Sequence, residues 1–186
     1  DEYGVLLIDD EIAAGFGRTG KLFAIEHADV SPDILCTSKG LTGGYLPMSI
    51  AITTEKIYDA FYADYNSHKA FVHSHTYAGN PIGCAAALAV LDILQKEDIL
   101  NKAAITGKYL HEHLEKALGG HPNVGEIRHI GLINAIELVE DKKTKQPFDA
   151  KRRIGWEIFR KAMDLGLVLR PIGYLIYFNP PLTISI

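Results

Sequence analysis

Two short apolar runs, Val5-Leu6-Leu7-Ile8 and Ile34-Leu35-Cys36, contain no polar residue at alternate positions. A strand that is solvated on one face alternates apolar and polar side chains, so continuous runs of this length read as strands buried on both faces. Such strands belong to parallel or mixed sheets covered by helices, which makes the predicted fold class α/β. Each run ends in reactive side chains: the first in Asp9, Asp10 and Glu11, the second in Ser38-Lys39-Gly40, which opens a stretch of small residues reaching Gly44. Open α/β sheets bind ligands in the crevice beyond the carboxyl ends of their strands, so an amine and an acid are predicted to face one ligand.

The remaining pattern extends this sheet and then changes character. Residues 48–53 read as a third strand and 55–63 as a helix. Asn80-Pro81 supplies a favoured N-cap followed by proline at the first helical position, and opens a helix over 82–95. Apolar residues on nearly every face of that helix predict that it is largely buried. A further helix over 99–118 is expected to stop at Gly119-Gly120. Beyond it, strands at 127–130 and 133–139 flank Gly131, a polar loop covers 142–146, a helix covers 153–165 and a strand covers 175–178. The expected organisation is therefore part of a large sheet domain over 1–97 and a small α+β domain over 98–186.

With 186 residues, 47% of them hydrophobic, the chain can bury a substantial core. A net charge of −4, with Lys and Arg scattered rather than striped, argues against nucleic acid as a partner. Cys36 and Cys84 are the only cysteines, and their apolar or small-residue surroundings fit reduced, buried thiols of a cytoplasmic protein. No apolar stretch approaches the ~20 residues that span a bilayer, so no membrane partner is expected.

Several motifs allow more than one chemistry. Gly15-Phe16-Gly17-Arg18-Thr19-Gly20 matches the dinucleotide pattern, but that fingerprint opens a helix directly from a strand end. Here Glu11-Ile12-Ala13-Ala14 intervenes and Pro32 limits any following helix, so the context argues against a dinucleotide site. Asp9, Asp10 and Glu11 could hold a hard divalent cation, yet alternate strand residues point to opposite faces, so Asp9 and Asp10 cannot serve one ligand together. His73 and His75 have the spacing of two zinc ligands on one strand face, with no Cys or carboxylate cluster to complete a site. Lys39 and a carboxylate of the Asp9-Asp10-Glu11 run together match the needs of pyridoxal phosphate: a Schiff-base lysine for the aldehyde and an acid for the pyridinium nitrogen.

The segments Leu7-Ile8-Asp9-Asp10-Glu11-Ile12, Gly15 to Gly20, Ser38-Lys39-Gly40, His75-Thr76-Tyr77-Ala78-Gly79-Asn80-Pro81 and Leu169-Arg170-Pro171-Ile172-Gly173 resemble those of the class III aminotransferases. The resemblance covers nearly the whole chain and implies a fold-type I pyridoxal-phosphate enzyme. It implies a mixed, mostly parallel sheet in the large domain and a truncated carboxy-terminal small domain. By the same resemblance Lys39 is the catalytic lysine and Asp10 the pyridinium partner. Ile12 packs on the cofactor ring, and Glu11 is a structural neighbour of Asp10. The hydroxyl of Thr76 reaches the cofactor phosphate of a neighbouring subunit, which implies a homodimer with shared sites. Members of the family are much longer and carry a phosphate-binding loop before the point matching Asp1. The chain is therefore expected to be the carboxy-terminal part of such an enzyme.

Within the family, Ala13 stands where members acting on ornithine-like substrates carry Gln. The stretches from Asp10 to Gly17 and from Arg170 to Pro181 are similar instead to the members that aminate 8-amino-7-oxononanoate in biotin synthesis. That similarity makes Arg170 the partner of a substrate carboxylate, with S-adenosylmethionine or lysine as amino donor. Ser74-His75 departs from the Gly-Pro or Gly-His that usually precedes the threonine of that group. The alternatives are another class III enzyme acting on an ω-amino acid or amine, and a structural or dimerisation fragment that binds nothing alone.

Overall fold

In the computed structural model, which describes residues 3–186, the first apolar run enters its sheet later than the sequence predicts. Strand β1 (Ile8–Asp10) pairs in parallel with β2 (Ile34–Thr37), in register from Ile8↔Ile34 to Asp10↔Cys36. The partner strand sets this limit. Pro32 and Asp33 precede β2, the Asp33 carboxylate accepts from Leu7 N at 2.8 Å, and Leu7 O accepts from Asp33 N and Ile34 N. Asp9 and Asp10 thus lie within the strand rather than beyond it. Burial on both faces is also corrected, for Val5 and Ile8 are 77% and 63% exposed. The reason is topological: β1 is an edge of a three-stranded sheet ordered β1-β2-β3, with β3 (Ile50–Thr53) antiparallel to β2.

Helix α1 (Glu55–Asp59) is shorter than expected. After Asp59 the chain turns so that Phe61 meets Phe71 with ring centroids 5.1 Å apart, while Tyr58 stacks on Tyr62. Helix α2 (Pro81–Lys96) begins as the sequence predicts, with the Asn80 side chain accepting from Ile82 N at 3.0 Å. Its predicted burial is not observed. Gly83, Ala87 and Leu94 face inward, whereas Ile82, Leu88, Leu91 and Ile93 are exposed, because the helix packs on one side only, mainly against the 3-10 turn Lys39–Thr42.

These elements form one compact unit, which takes the chain up to Phe16 together with Lys21–Asp98. A second unit comprises Gly17–Gly20 with Ile99–Ile186. Helix α3 (Ile99–Leu118) ends where expected, but neither Gly119 nor Gly120 adopts the left-handed conformation of a glycine terminator. Strands β4 (Val124–Ile130) and β5 (Ile133–Leu138) follow, then α4 (Ile154–Asp164), β6 (Arg170–Ile172) and β7 (Leu175–Phe178). The sheet order is β4-β5-β7-β6, antiparallel throughout. Sequence reading misses β6, because Pro171 argues against a strand; it is tolerated here because β6 is an edge.

The core of this unit is one face of that sheet. Burial along β5 alternates strictly, placing Asn134, Ile136 and Leu138 inward. Ile136 and Leu138 join Val124, Ile127, Ala162, Leu169 and Ile176 in one apolar cluster, with α3 lying against β4 and β5 and α4 against β6. The β4–β5 hairpin turns on Gly131-Leu132 with only the first in positive φ (+54°), the arrangement of a type II′ turn. Backbone is pressed on backbone there. A Cβ at Gly107 of α3 would stand 1.8 Å from Gly131 O, and one at Gly131 would stand 2.2 Å from the Thr19 carbonyl carbon.

Candidate functional site

The register of β1 and β2 fixes the relation between the acid and the amine. Asp10 is level with Cys36, Glu11 N donates to Cys36 O at 2.8 Å, and β2 ends at Thr37, two residues before Lys39. Neighbouring parallel strands lie ~5 Å apart, so Asp10 at the end of β1 and Lys39 just past the end of β2 lie towards the same carboxyl edge of the sheet. Ile12 is tied to the same corner, its N–H donating to Asp10 Oδ1 at 3.0 Å.

The loop that presents Lys39 is held on every side. Ser38 Oγ donates to Met48 O at 2.6 Å, and Thr42 Oγ1 donates to Leu46 O at 2.6 Å. A 3-10 turn over Lys39–Thr42 ends at Gly43 in the left-handed region. Lys39 itself has φ +35°, a conformation that non-glycine residues rarely adopt and that costs on the order of 1–3 kcal/mol. Strain of this kind persists where the surroundings over-determine the backbone. Gly40 supplies one such constraint, because its Cα faces Phe16, which is 3% exposed and packed edge-on against Phe23 with centroids 5.7 Å apart. The Lys39 side chain is exposed, and among the described residues its ammonium makes no hydrogen bond or ion pair.

The two faces of β1 differ. Asp10 is exposed on one, while Asp9 and Glu11 share the other, as the two-residue period requires. Glu11 is 1% exposed; its Oε1 accepts from Ile25 N at 2.8 Å. Asp9 Oδ2 and Glu11 Oε2 are buried, and neither receives a hydrogen bond from a formal donor. The Asp9 carboxyl is held above the ordinary carboxylate range, first by burial, then by the charge of Glu11, by the hydrogen bond the two side chains share, and last by the charge of Asp10. Sequence reading missed this pair, although the i, i+2 spacing of Asp9 and Glu11 was its signal.

Thr76 lies in an exposed turn in which Ala78 N donates to His75 O at 2.9 Å, and no bond joins it to Asp10, Ile12 or Lys39 among the described residues. The Ser74-His75 departure falls in the same turn: His75 Nδ1 accepts from Tyr77 N at 3.2 Å, and the His75 and Tyr77 rings lie 5.6 Å apart. Arg170 belongs to the second unit, exposed at the first position of β6 opposite Tyr177. Arg18, also in that unit, donates from its guanidinium to Pro180 O, and burial pushes its pKa down.

A cavity of about 580 Å³ in the second unit is lined by Val124, Ile136, Phe148, Ile158 and Ile176 among others. Its lining has no lysine and includes none of the predicted site residues. No group of three or more His, Cys, Asp or Glu among the described residues is arranged to hold a metal ion, and no helix of the described residues is long and apolar enough to cross a membrane.

The comparisons agree on a lineage. The family model described as aminotransferase class-III matches residues 1–186. The chain is 45% identical over 181 residues to the adenosylmethionine-8-amino-7-oxononanoate aminotransferase of Anoxybacillus flavithermus, covering 97% of this chain and 40% of that protein. Among solved structures, that of the adenosylmethionine-8-amino-7-oxononanoate aminotransferase of Methanocaldococcus jannaschii superposes with a TM-score of 0.93 at 42% identity, over 99% of this chain and 43% of that one. A thermostable (S)-enantioselective omega-transaminase from Thermomicrobium roseum gives a TM-score of 0.91 at 38% identity, over 99% and 40%. The chain therefore spans about 40% of the length of the curated relatives it matches. A family match along every residue, together with α/β structure that superposes on solved members of the family, places this chain among the class III aminotransferases.

Proposed function

We propose that the protein carrying this chain is a pyridoxal-phosphate-dependent aminotransferase that converts 8-amino-7-oxononanoate to 7,8-diaminononanoate in biotin biosynthesis. The observation that carries the reading is the adjacency of two parallel strands, β1 ending at Asp10 and β2 ending two residues before Lys39, with Lys39 in a strained backbone conformation. The donor set fits the cofactor: an exposed primary amine for an aldehyde and, one strand away, a carboxylate for a ring nitrogen. Pyridoxal phosphate, when bound, supplies an aldehyde that takes up amines and a ring that withdraws electrons.

In this reading Lys39 holds the cofactor through Nζ and, once a substrate amine replaces it, moves a proton to and from the amine-bearing carbon. Asp10 keeps a proton on the ring nitrogen, and Ile12 packs against the ring face. Thr76 donates its hydroxyl to the phosphate of a neighbouring subunit, which makes the working unit a homodimer. Arg170 pairs with the substrate carboxylate through two parallel N–H donors. The amino donor is S-adenosylmethionine or lysine, and the names of the relatives favour the former. Likeness to the Thermomicrobium roseum omega-transaminase supports a second reading, a class III enzyme acting on an ω-amino acid or amine.

Borohydride reduction of the full-length protein with bound cofactor, followed by peptide mapping, tests the assignment. The label is expected on Lys39, and a label on another lysine refutes it. Activity with an ω-keto acid but none with 8-amino-7-oxononanoate favours the second reading.

A further inference from the structure

We infer that Asp9 and Glu11 share one proton on the face of β1 opposite Asp10, and that this neutralised pair is the positioning device holding Asp10 and the following turn in place. Two buried oxygens, Asp9 Oδ2 and Glu11 Oε2, receive no hydrogen bond from a formal donor, yet the two side chains lie within hydrogen-bonding reach of each other. Two carboxylates cannot satisfy one another, because both are acceptors only; a protonated carboxyl facing a carboxylate satisfies both with a single charge-assisted bond. The charge left on the pair is then −1 rather than −2, which matters where Glu11 is 1% exposed.

Among the described residues, the groups that shift the Asp9 pKa include no cation. The charges acting on Asp9 are those of Glu11 and Asp10, both on its own strand; its register neighbour on β2 is Leu35, and the Ile25 amide reaches the pair from the 3-10 turn Ala24–His27. The shared proton has two structural consequences. It fixes Glu11 so that Oε1 stays aimed at Ile25 N, which ties the turn after β1 back onto the strand. It also removes one negative charge from the neighbourhood of Asp10, which lies on the face that, in the function proposed above, meets the cofactor.

Infrared spectroscopy of the full-length protein without added cofactor tests the pair directly. A buried protonated carboxyl gives a carbonyl stretch separate from ionised carboxylates, and it moves on transfer to deuterium oxide. We expect that band at neutral pH in the wild type, its loss in both Asp9→Asn and Glu11→Gln, and its persistence in Asp10→Asn. Each amide can still donate to the remaining carboxylate, so both variants keep the local geometry. Absence of the band from the wild type at neutral pH, or its loss in only one of Asp9→Asn and Glu11→Gln, overturns the inference without reference to any variant's activity. If the band behaves as expected but Asp10→Asn turns over normally, the pair stands and the proposed function falls.

Discussion

Replacing Gly40 by alanine probes the one contact that sets where Lys39 sits. The added Cβ would stand 2.8 Å from Phe16 Cβ and 3.2 Å from Phe16 Cδ2, whereas ordinary contact begins at 3.4 Å, so something must move by about 0.6 Å. Phe16 cannot give way cheaply. It is buried at φ +61°, its N–H donates to Leu22 O at 2.6 Å, and its ring abuts Phe23. Overpacking of this kind costs ~1–3 kcal/mol, offset by ~0.5–1 kcal/mol because alanine restricts the unfolded chain more than glycine does. A net loss of ~1–2 kcal/mol is expected from urea midpoints followed by circular dichroism at unchanged m. The remaining displacement falls on Lys39, and a shift of several tenths of an ångström should lower kcat by on the order of tenfold. The decisive comparison is a double-mutant cycle with Phe16→Gly, which removes both contact atoms and suits the positive φ. In that background Gly40→Ala should stabilise by ~0.5–1 kcal/mol, giving a coupling of ~1–3 kcal/mol, the overpacking itself. Equal cost in the two backgrounds refutes the argument.

Asp10→Asn should lose at least ~3 kcal/mol of transition-state stabilisation, read as kcat/KM, because it removes a preorganised electrostatic partner; near-normal kcat speaks against the assignment. Arg170→Lys cannot reproduce the fixed fork of a guanidinium and should raise KM for the keto acid by ~1.5–3 kcal/mol, while the half-reaction with the amino donor is largely spared. Mixing Lys39→Ala subunits with Thr76→Ala subunits should recover activity if sites are shared, since each mixed dimer holds one intact site; no recovery despite proven exchange excludes sharing. In the second unit the rings of His111 and His129 stack 3.9 Å apart, and burial, then the charge of His111, lowers the His129 pKa. A lowered folded value means that its contribution to stability is present above the unfolded value of ~6.5 and is lost as pH falls towards the folded one, so His129→Gln should flatten stability over that acidic window.

Legibility in the sequence followed the range of the interactions. An acid and an amine at neighbouring strand ends, and the existence of β4 and β5 on either side of Gly131, could be read because they depend on runs of a few residues. The N-cap of α2 was equally local. Burial was not legible, since Val5, Ile8, Ile82 and Leu88 have buried-strand and buried-helix chemistry but face no partner among the described residues. β6 was hidden by Pro171, whose cost depends on an edge position that sequence does not reveal. The contact of Gly40 with Phe16 needed coordinates, because the chain between them brings the two together, whereas the Asp9–Glu11 spacing was visible but their burial was not.

The backbone contacts of Gly107, Gly131 and Thr19 bear on how this protein can be dissected. Because Gly17–Gly20 belongs to the second unit while its sequence neighbours Phe16 and Lys21 belong to the first, the polypeptide passes between the units three times rather than once. A single cut after Asp98 would therefore strip the second unit of the strip that covers its hairpin, uncovering the Leu132 amide that donates to Arg18 O at 3.1 Å. Domain swapping, circular permutation or expression of residues 99–186 alone would each have to carry the four-residue strip along, as a fused or added peptide, for the hairpin turn to keep its cover.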